Sequence, residues 1–109
     1  MPLILTTPYN PGDLDSVEYA EARIQRIDIV PGSNQIQLYV EHGNTVDGTW
    51  VAGLDQAHKH HLVRDVGGDT DYTTMLSVVP NGTENLYEAI KRVAYQWLLD
   101  KGHFAGTVA

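Results

Sequence analysis

The clearest pattern of hydrophobic and polar positions in this chain is an alternation over residues 35–42. Ile36, Leu38 and Val40 fall on one side of an extended segment, and the intervening residues on the other side are polar or aromatic. This period of two predicts a half-buried β-strand. Asp47-Gly48 follows between β-forming residues, which predicts a hairpin with a type I′ turn.

The segment before this strand is also rich in β-forming residues, but its pattern is less regular. Ile27 and Ile29 share one side of an extended segment, whereas Ile24 and Val30 lie on the opposite side. A β-bulge, or cover on both faces of the strand, would explain this arrangement. Residues 31–34 (Pro-Gly-Ser-Asn) predict a turn that ends the strand.

The most regular helical pattern covers residues 84–101, where apolar positions recur every three or four residues. Thr83 or Asn85 would cap this helix, and Gly102 would end it. Residues 57–66 are compatible with a further strand, and residues 71–79 with a short helix or a strand, of which we favour the helix. We expect residues 103–109 to form a short tail anchored by Phe104. The predicted apolar stripe of the long helix consists of Leu86, Ile90, Val93, Ala94, Trp97 and Leu98.

These elements predict an α+β fold, in which an antiparallel β-meander of three to five strands is packed by one long C-terminal amphipathic helix. Three of the five prolines lie in residues 1–16, so we interpret this segment as an extended arm that lies on the domain or reaches to a neighbour. Leu3-Ile4-Leu5 is predicted to form a short edge strand within it. Residues 17–109 form the single predicted domain.

Composition narrows the possible functions. The 109 residues contain no cysteine, which excludes a disulfide scaffold, a four-cysteine zinc module and a thiol enzyme. The formal net charge of −7 disfavours general binding to nucleic acid, because phosphate recognition needs a basic surface. No segment reaches the about 18 apolar residues needed to cross a bilayer. We therefore expect neither nucleic acid nor a membrane as partner.

Histidines provide the first candidate chemistry. His58 and His60 would project from the same side of a strand, and two imidazoles at this spacing can chelate a metal ion. His42 or Asp55 would be a third ligand. Because His-x-His is common and no fourth ligand is recognisable, these are weak metal candidates, and a solvated strand or a pH-sensitive interface are the alternatives. We expect no metal and no cofactor.

Enzymatic motifs are missing from the sequence, since there is no Gly-x-Ser-x-Gly, phosphate-binding loop or dinucleotide fingerprint. We therefore expect a protein that is not an enzyme. Aromatic residues outside the long helix are candidates for a protein interface or, alternatively, for stacking on sugars, although Trp50 would also fit the core. The candidate interface residues are Leu3, Ile4, Leu5, Tyr9, Tyr39, Trp50 and Tyr72.

Several stretches resemble a group of small proteins encoded by tailed bacteriophages. They are residues 5–14 (LTTPYNPGDL), residues 39–43 followed by residues 46–51 (VDGTWV), Asn85-Leu86-Tyr87-Glu88, and residues 95–107 (YQWLLDKGHFAGT). The resemblance carries no catalytic motif and assigns no functional residues. It implies a structural component of the virion, in the tail, the neck or the head. Such a component would be made in the host cytoplasm and would associate with itself and with other virion proteins.

Overall fold

A computed structural model of the chain describes residues 3–10, 18–53 and 58–108, without the side chains of His58 and Lys59. These residues form a mixed α/β fold with an antiparallel six-stranded sheet and two helices. The strands are β1 (Leu3–Tyr9), β2 (Tyr19–Val30), β3 (Gln35–Val46), β4 (Thr49–Ala52), β5 (His58–Arg64) and β6 (Gly106–Val108). The helices are α1 (Asp71–Leu76) and α2 (Leu86–Asp100).

The sheet is organised around β3, which pairs with three other strands. β2 lies along one side of β3, and the other side is shared by β5, opposite residues 35–41, and β4, opposite residues 43–46. β1 lies between β2 and β6. Strands β1 to β4 therefore form the predicted meander, and β5 and β6 extend it to six strands, more than the three to five predicted.

The predicted turns between β2, β3 and β4 are confirmed. Asp47 and Gly48 have φ angles of 51° and 78°, as a type I′ turn requires, and Val46 pairs directly with Thr49. Before β3, residues 31–33 form one 3₁₀ turn, and Asn34 follows in the left-handed conformation. Both turns keep neighbouring strands in the register that the alternation in β3 demands.

The predicted bulge lies in β2 at Gln25. Ile24 pairs with Val40 and Arg26 pairs with Tyr39, so Gln25 is an extra residue between two successive pairs. The extra residue shifts the alternation by one position, and Ile24 and Ile27 consequently face the same side of the sheet. The irregular apolar pattern of the sequence has its cause in this bulge.

The helices cover one side of the sheet, and the hydrophobic core lies between the sheet and the helices. α2 follows the N-cap Asn85, whose side-chain oxygen accepts a hydrogen bond from the backbone N–H of Glu88. In return, the Glu88 carboxylate accepts a hydrogen bond from the backbone N–H of Asn85. The predicted stripe needs two corrections, because Leu86 is 56% exposed and Tyr95 is fully buried. The first turn of α2 is exposed, and the buried stripe is therefore displaced toward Tyr95.

The segments near the two ends of the chain are both paired within the sheet, whereas the sequence predicts an edge strand at one end and a tail at the other. Leu3, Ile4 and Leu5 lie in a strand that pairs with β2 on one side and with β6 on the other, so they do not form an edge strand. A Cβ at Gly106 would meet the Ile4 backbone, so only glycine allows the predicted tail to approach β1 this closely and pair with it. The resulting strand, β6, has three residues, which is too short for its alternation to be recognised in the sequence. Residues 1–2 and 11–16 of the predicted arm lie outside the described residues.

Neither helix in the described part of the chain combines the length and the apolar character needed to cross a membrane.

Candidate functional site

The predicted interface residues are divided between two sides of the sheet. We call the side opposite the helices the open face; the odd-numbered positions of β3 point to it. Tyr39 and Trp50 lie on the open face, and Ile4, which is 40% exposed, lies at its margin. Leu3 and Tyr72 instead belong to the buried core, and Leu5 packs against that core, so these three do not contribute an exposed surface.

The first group of side chains on the open face surrounds Trp50. A Cβ at Gly43 would meet the Val51 carbonyl oxygen and the indole ring, so the glycine leaves room for the indole beside β3. Trp50 Nε1 donates a hydrogen bond of 2.8 Å to Glu41 Oε1. The Arg23 guanidinium lies 4.6 Å from the centre of the indole and contacts the same Glu41 oxygen at 3.3 Å. Glu41 is thereby only 4% exposed, although it lies on the open face.

The second group surrounds Tyr39. The Tyr39 ring stacks on His60 of β5 at a centroid distance of 4.6 Å, and the Arg26 guanidinium lies 4.7 Å from its centre. Because β5 and β2 flank β3 on opposite sides, His60 and Arg26 contact the ring from opposite sides. The Tyr39 hydroxyl donates to Gln37 Oε1 at 2.9 Å, which fixes the ring further.

Arg26 also forms a two-bond ion pair with Asp28, at 2.9 Å and 2.6 Å. Its hydrogen bond to Arg26 lowers the pKa of Asp28, and the same carboxylate raises the pKa of Arg26. Both side chains contact solvent, so the pair adds little to stability. Its effect is to hold the guanidinium in one orientation beside Tyr39.

Arg23, Arg26 and Glu41 were missed by the sequence analysis. In a regular strand, Arg23 and Arg26 are three residues apart and point to opposite faces. The bulge at Gln25 places both on the open face, opposite Glu41 and Tyr39. The irregular spacing of apolar residues in β2 was the signal that could have shown this.

The three weak metal candidates are not brought together in the described residues. His42 lies on the helix side of β3, is 2% exposed and stacks on Tyr9 at 4.0 Å, whereas His60 lies on the open face against Tyr39. The His58 side chain lies outside the described part of the chain, as does Asp55. Among the described residues, no group of three or more His, Asp or Glu side chains is arranged to hold a metal ion.

A second candidate site is a cavity of about 330 Å³ at the end of the core where β1 meets the segment after α2. Contacting rings form much of its wall: Tyr9 stacks on His42, His42 contacts Phe104, and Phe104 contacts His61. His61 also contacts His103 at 4.5 Å. This arrangement anchors the segment after α2, as predicted for Phe104.

On the helix side, Asp71 at the start of α1 joins the two helices. It accepts a hydrogen bond from Trp97 Nε1 at 3.0 Å and pairs with Lys101 Nζ at 3.0 Å. These two donors, Trp97 above all, lower the pKa of Asp71, and the carboxylate raises the pKa of Lys101. Trp97 is thus a packing residue between α2 and α1.

Comparisons of the chain with protein-family models, with curated proteins and with solved structures gave no match. The geometry of the open face and the resemblance of short stretches are therefore the grounds on which a function can be proposed.

Proposed function

We propose that this protein is a non-enzymatic structural subunit that assembles with other proteins through the open face of its sheet. The observation that carries this proposal is the ordered array of Trp50, Arg23, Tyr39 and Arg26 on that face. Tryptophan, tyrosine and arginine are the residue types that contribute most to the binding energy of protein interfaces.

The order of these side chains strengthens the argument. Association costs free energy for each flexible side chain that it immobilises, about 0.5–1.5 kcal/mol for a side chain with many rotamers. Arg23 is already held by Glu41 and the indole, and Arg26 by Asp28 and the tyrosine ring. A partner that docks on this face meets side chains that are already largely ordered.

The alternative function, stacking on a sugar or a host surface, fits this geometry less well. A sugar needs a free aromatic face, but both sides of Tyr39 are in contact with other groups and Arg23 lies over Trp50. Tyr72, the third aromatic residue of that hypothesis, is buried. A sugar would have to displace either His60 or Arg26 before it could stack on Tyr39.

The assembly that we propose is the particle of a tailed bacteriophage, in its tail, its neck or its head. The stretches that resemble small phage proteins support this context, and a lack of cysteine suits a protein made in a reducing host cytoplasm. In a particle each contact is repeated many times, so an interface of modest affinity is sufficient.

The proposal is tested by the oligomeric state of the purified protein, measured by light scattering coupled to size-exclusion chromatography up to near-millimolar concentration. We expect a defined oligomer that dissociates in Arg26→Ala and persists in Lys91→Ala. The control removes a cation that lies 5.9 Å from the Tyr87 ring on α2, away from the open face. Circular dichroism establishes that both variants are folded.

A second measurement addresses the particle itself. Mass spectrometry of purified phage whose genome encodes this chain should detect it in fixed proportion to the other virion proteins. A protein that is monomeric at the highest concentration and missing from purified particles would overturn the proposal.

A further inference from the structure

We propose that the partner of the open face is a second copy of this chain, docked sheet to sheet around a two-fold axis. This inference rests on the proposed function and specifies the partner at that same surface. Charge, area and the composition of the open face support it.

Charge favours this face over the helix side as the contact between copies. Two copies that each carry a net charge of −7 repel one another, so they associate best where the local charge is balanced. In the described strands, the open-face positions carry three arginines and three carboxylates. These are Arg23, Arg26 and Arg64, and Glu21, Asp28 and Glu41.

The helices and the segments that flank them are acidic by comparison. Over residues 65–101, six carboxylates accompany three basic side chains. The acids are Asp65, Asp69, Asp71, Glu84, Glu88 and Asp100, and the bases are Lys91, Arg92 and Lys101. A second copy that approached this side would meet a net negative surface.

The open face is also large enough for a stable dimer. The molecule measures 41 × 34 × 21 Å, and the shortest dimension corresponds to one sheet and one layer of helices. The sheet plane therefore extends over the two longer dimensions. A standard interface buries about 800 Å² on each partner, which fits within a face of this extent.

A two-fold interface requires a surface that is complementary to itself, and the open face carries groups that can meet this requirement. Gln35 and Gln37 project from this face, and a side-chain amide can pair with an amide of the second copy because it carries two donors and an oxygen with two lone pairs. At Gln37 one of these lone pairs already accepts from the Tyr39 hydroxyl. The Arg26–Asp28 pair presents a cation beside an anion, so two such pairs related by the axis can form a four-charge network.

The edge of β5 is a less suitable contact between identical copies. β5 contains Lys59, Arg64 and three histidines, and in the described residues it pairs with β3 alone. A symmetric pairing of two β5 edges would bring together two segments of the same basic composition. Basic residues on an edge strand are a common means of preventing edge-to-edge association.

A cysteine crosslink tests the arrangement directly, because the chain contains no cysteine of its own. Gln37→Cys places a thiol on the open face, and Gln96→Cys places a thiol on exposed α2 as a matched control. Under mild oxidation, we expect Gln37→Cys to give a covalent dimer in high yield and Gln96→Cys to stay largely uncrosslinked. Leu62→Cys, on the strand position that pairs with Gln37, is a second probe of the face.

Charge reversal supplies an independent readout. Arg26→Glu unbalances the open face and should shift the dimer–monomer midpoint to at least tenfold higher protein concentration, whereas Lys91→Glu should leave it unchanged. A protein that is monomeric in isolation but present in purified particles would overturn the inference while leaving the proposed function in place, because the open face would then bind a different protein. A dimer that crosslinks neither through Gln37→Cys nor through Leu62→Cys, and that tolerates Arg26→Glu, would overturn both, because it would form without the open face. A monomeric protein missing from particles would overturn both.

Discussion

The hydrogen bond between Tyr95 and the Ile24 amide joins α2 to β2 inside the core. Tyr95 is fully buried on α2, and the Ile24 N–H beside the bulge in β2 donates to its hydroxyl oxygen at 2.9 Å. The bond joins the helix to the strand that positions Arg23 and Arg26. Tyr95→Phe removes only the acceptor and keeps the ring.

The expected loss can be worked out from the environment of this bond. Without the hydroxyl, the Ile24 N–H is buried and the phenylalanine ring offers it no replacement acceptor, which costs about 1–3 kcal/mol. For a chain of this size, about 2 kcal/mol corresponds to a fall of about 1 M in the urea midpoint at a slope near 2 kcal/mol/M. We expect the slope itself to stay unchanged, because the buried area is the same.

Tyr87→Phe is the matched control for Tyr95→Phe, since Tyr87 lies on the same helix and is 54% exposed. Tyr87→Phe should change the free energy of unfolding by less than about 0.5 kcal/mol, and the urea midpoint should therefore stay close to that of the wild type. If Tyr95→Phe unfolds at the same urea concentration as Tyr87→Phe, the buried hydrogen bond does not stabilise the fold and the reasoning fails.

Tyr95 also predicts a dependence on alkaline pH. Burial raises the pKa of its hydroxyl above the ordinary value of 10.0, and the Ile24 hydrogen bond opposes this in part. The folded state therefore holds the proton more tightly than the unfolded state. The resulting stability is present below the ordinary pKa and is lost as the pH rises through the folded-state pKa. Tyr95→Phe should lose less stability than the wild type over that range.

Three further predictions concern the turn, the cap and the helix pair. Gly48→Ala should lower the free energy of unfolding by about 1 kcal/mol, because the φ of 78° at this position strains any residue with a Cβ. Gly32 has no positive φ, so Gly32→Ala should leave the urea midpoint nearly unchanged in the same titration. Asn85→Ala should cost about 1 kcal/mol through loss of the capping box, and an unchanged urea midpoint would contradict the role of the cap. Asp71→Asn should flatten the fall of thermal stability at acid pH. The folded-state pKa of Asp71 lies below its ordinary value of 3.8, so the stability it gives is lost as the pH falls through that lowered pKa. An equally steep fall in the variant would show that the contacts of the Asp71 carboxylate with Trp97 and Lys101 do not contribute to stability.

The sequence by itself determined the elements whose signal is local. The period of two in β3, the positive φ angles required at Asp47-Gly48, and the period and cap of α2 each arise from residues close together in the chain. The assignment of Tyr39 to the polar side of β3 follows from the same period. This is why the α+β class and the position of Tyr39 on the open face could be predicted without the tertiary structure.

Only the tertiary structure decided which side chains share the open face. One extra residue at Gln25 reverses the direction of the following side chains, and it thereby brings Arg23 and Arg26 together. Trp50 lies on the open face because it pairs with Thr45, with the indole in the space beside Gly43, and Leu3 is buried because it faces the core under the helices. These outcomes depend on contacts between distant parts of the chain, which a local period does not record.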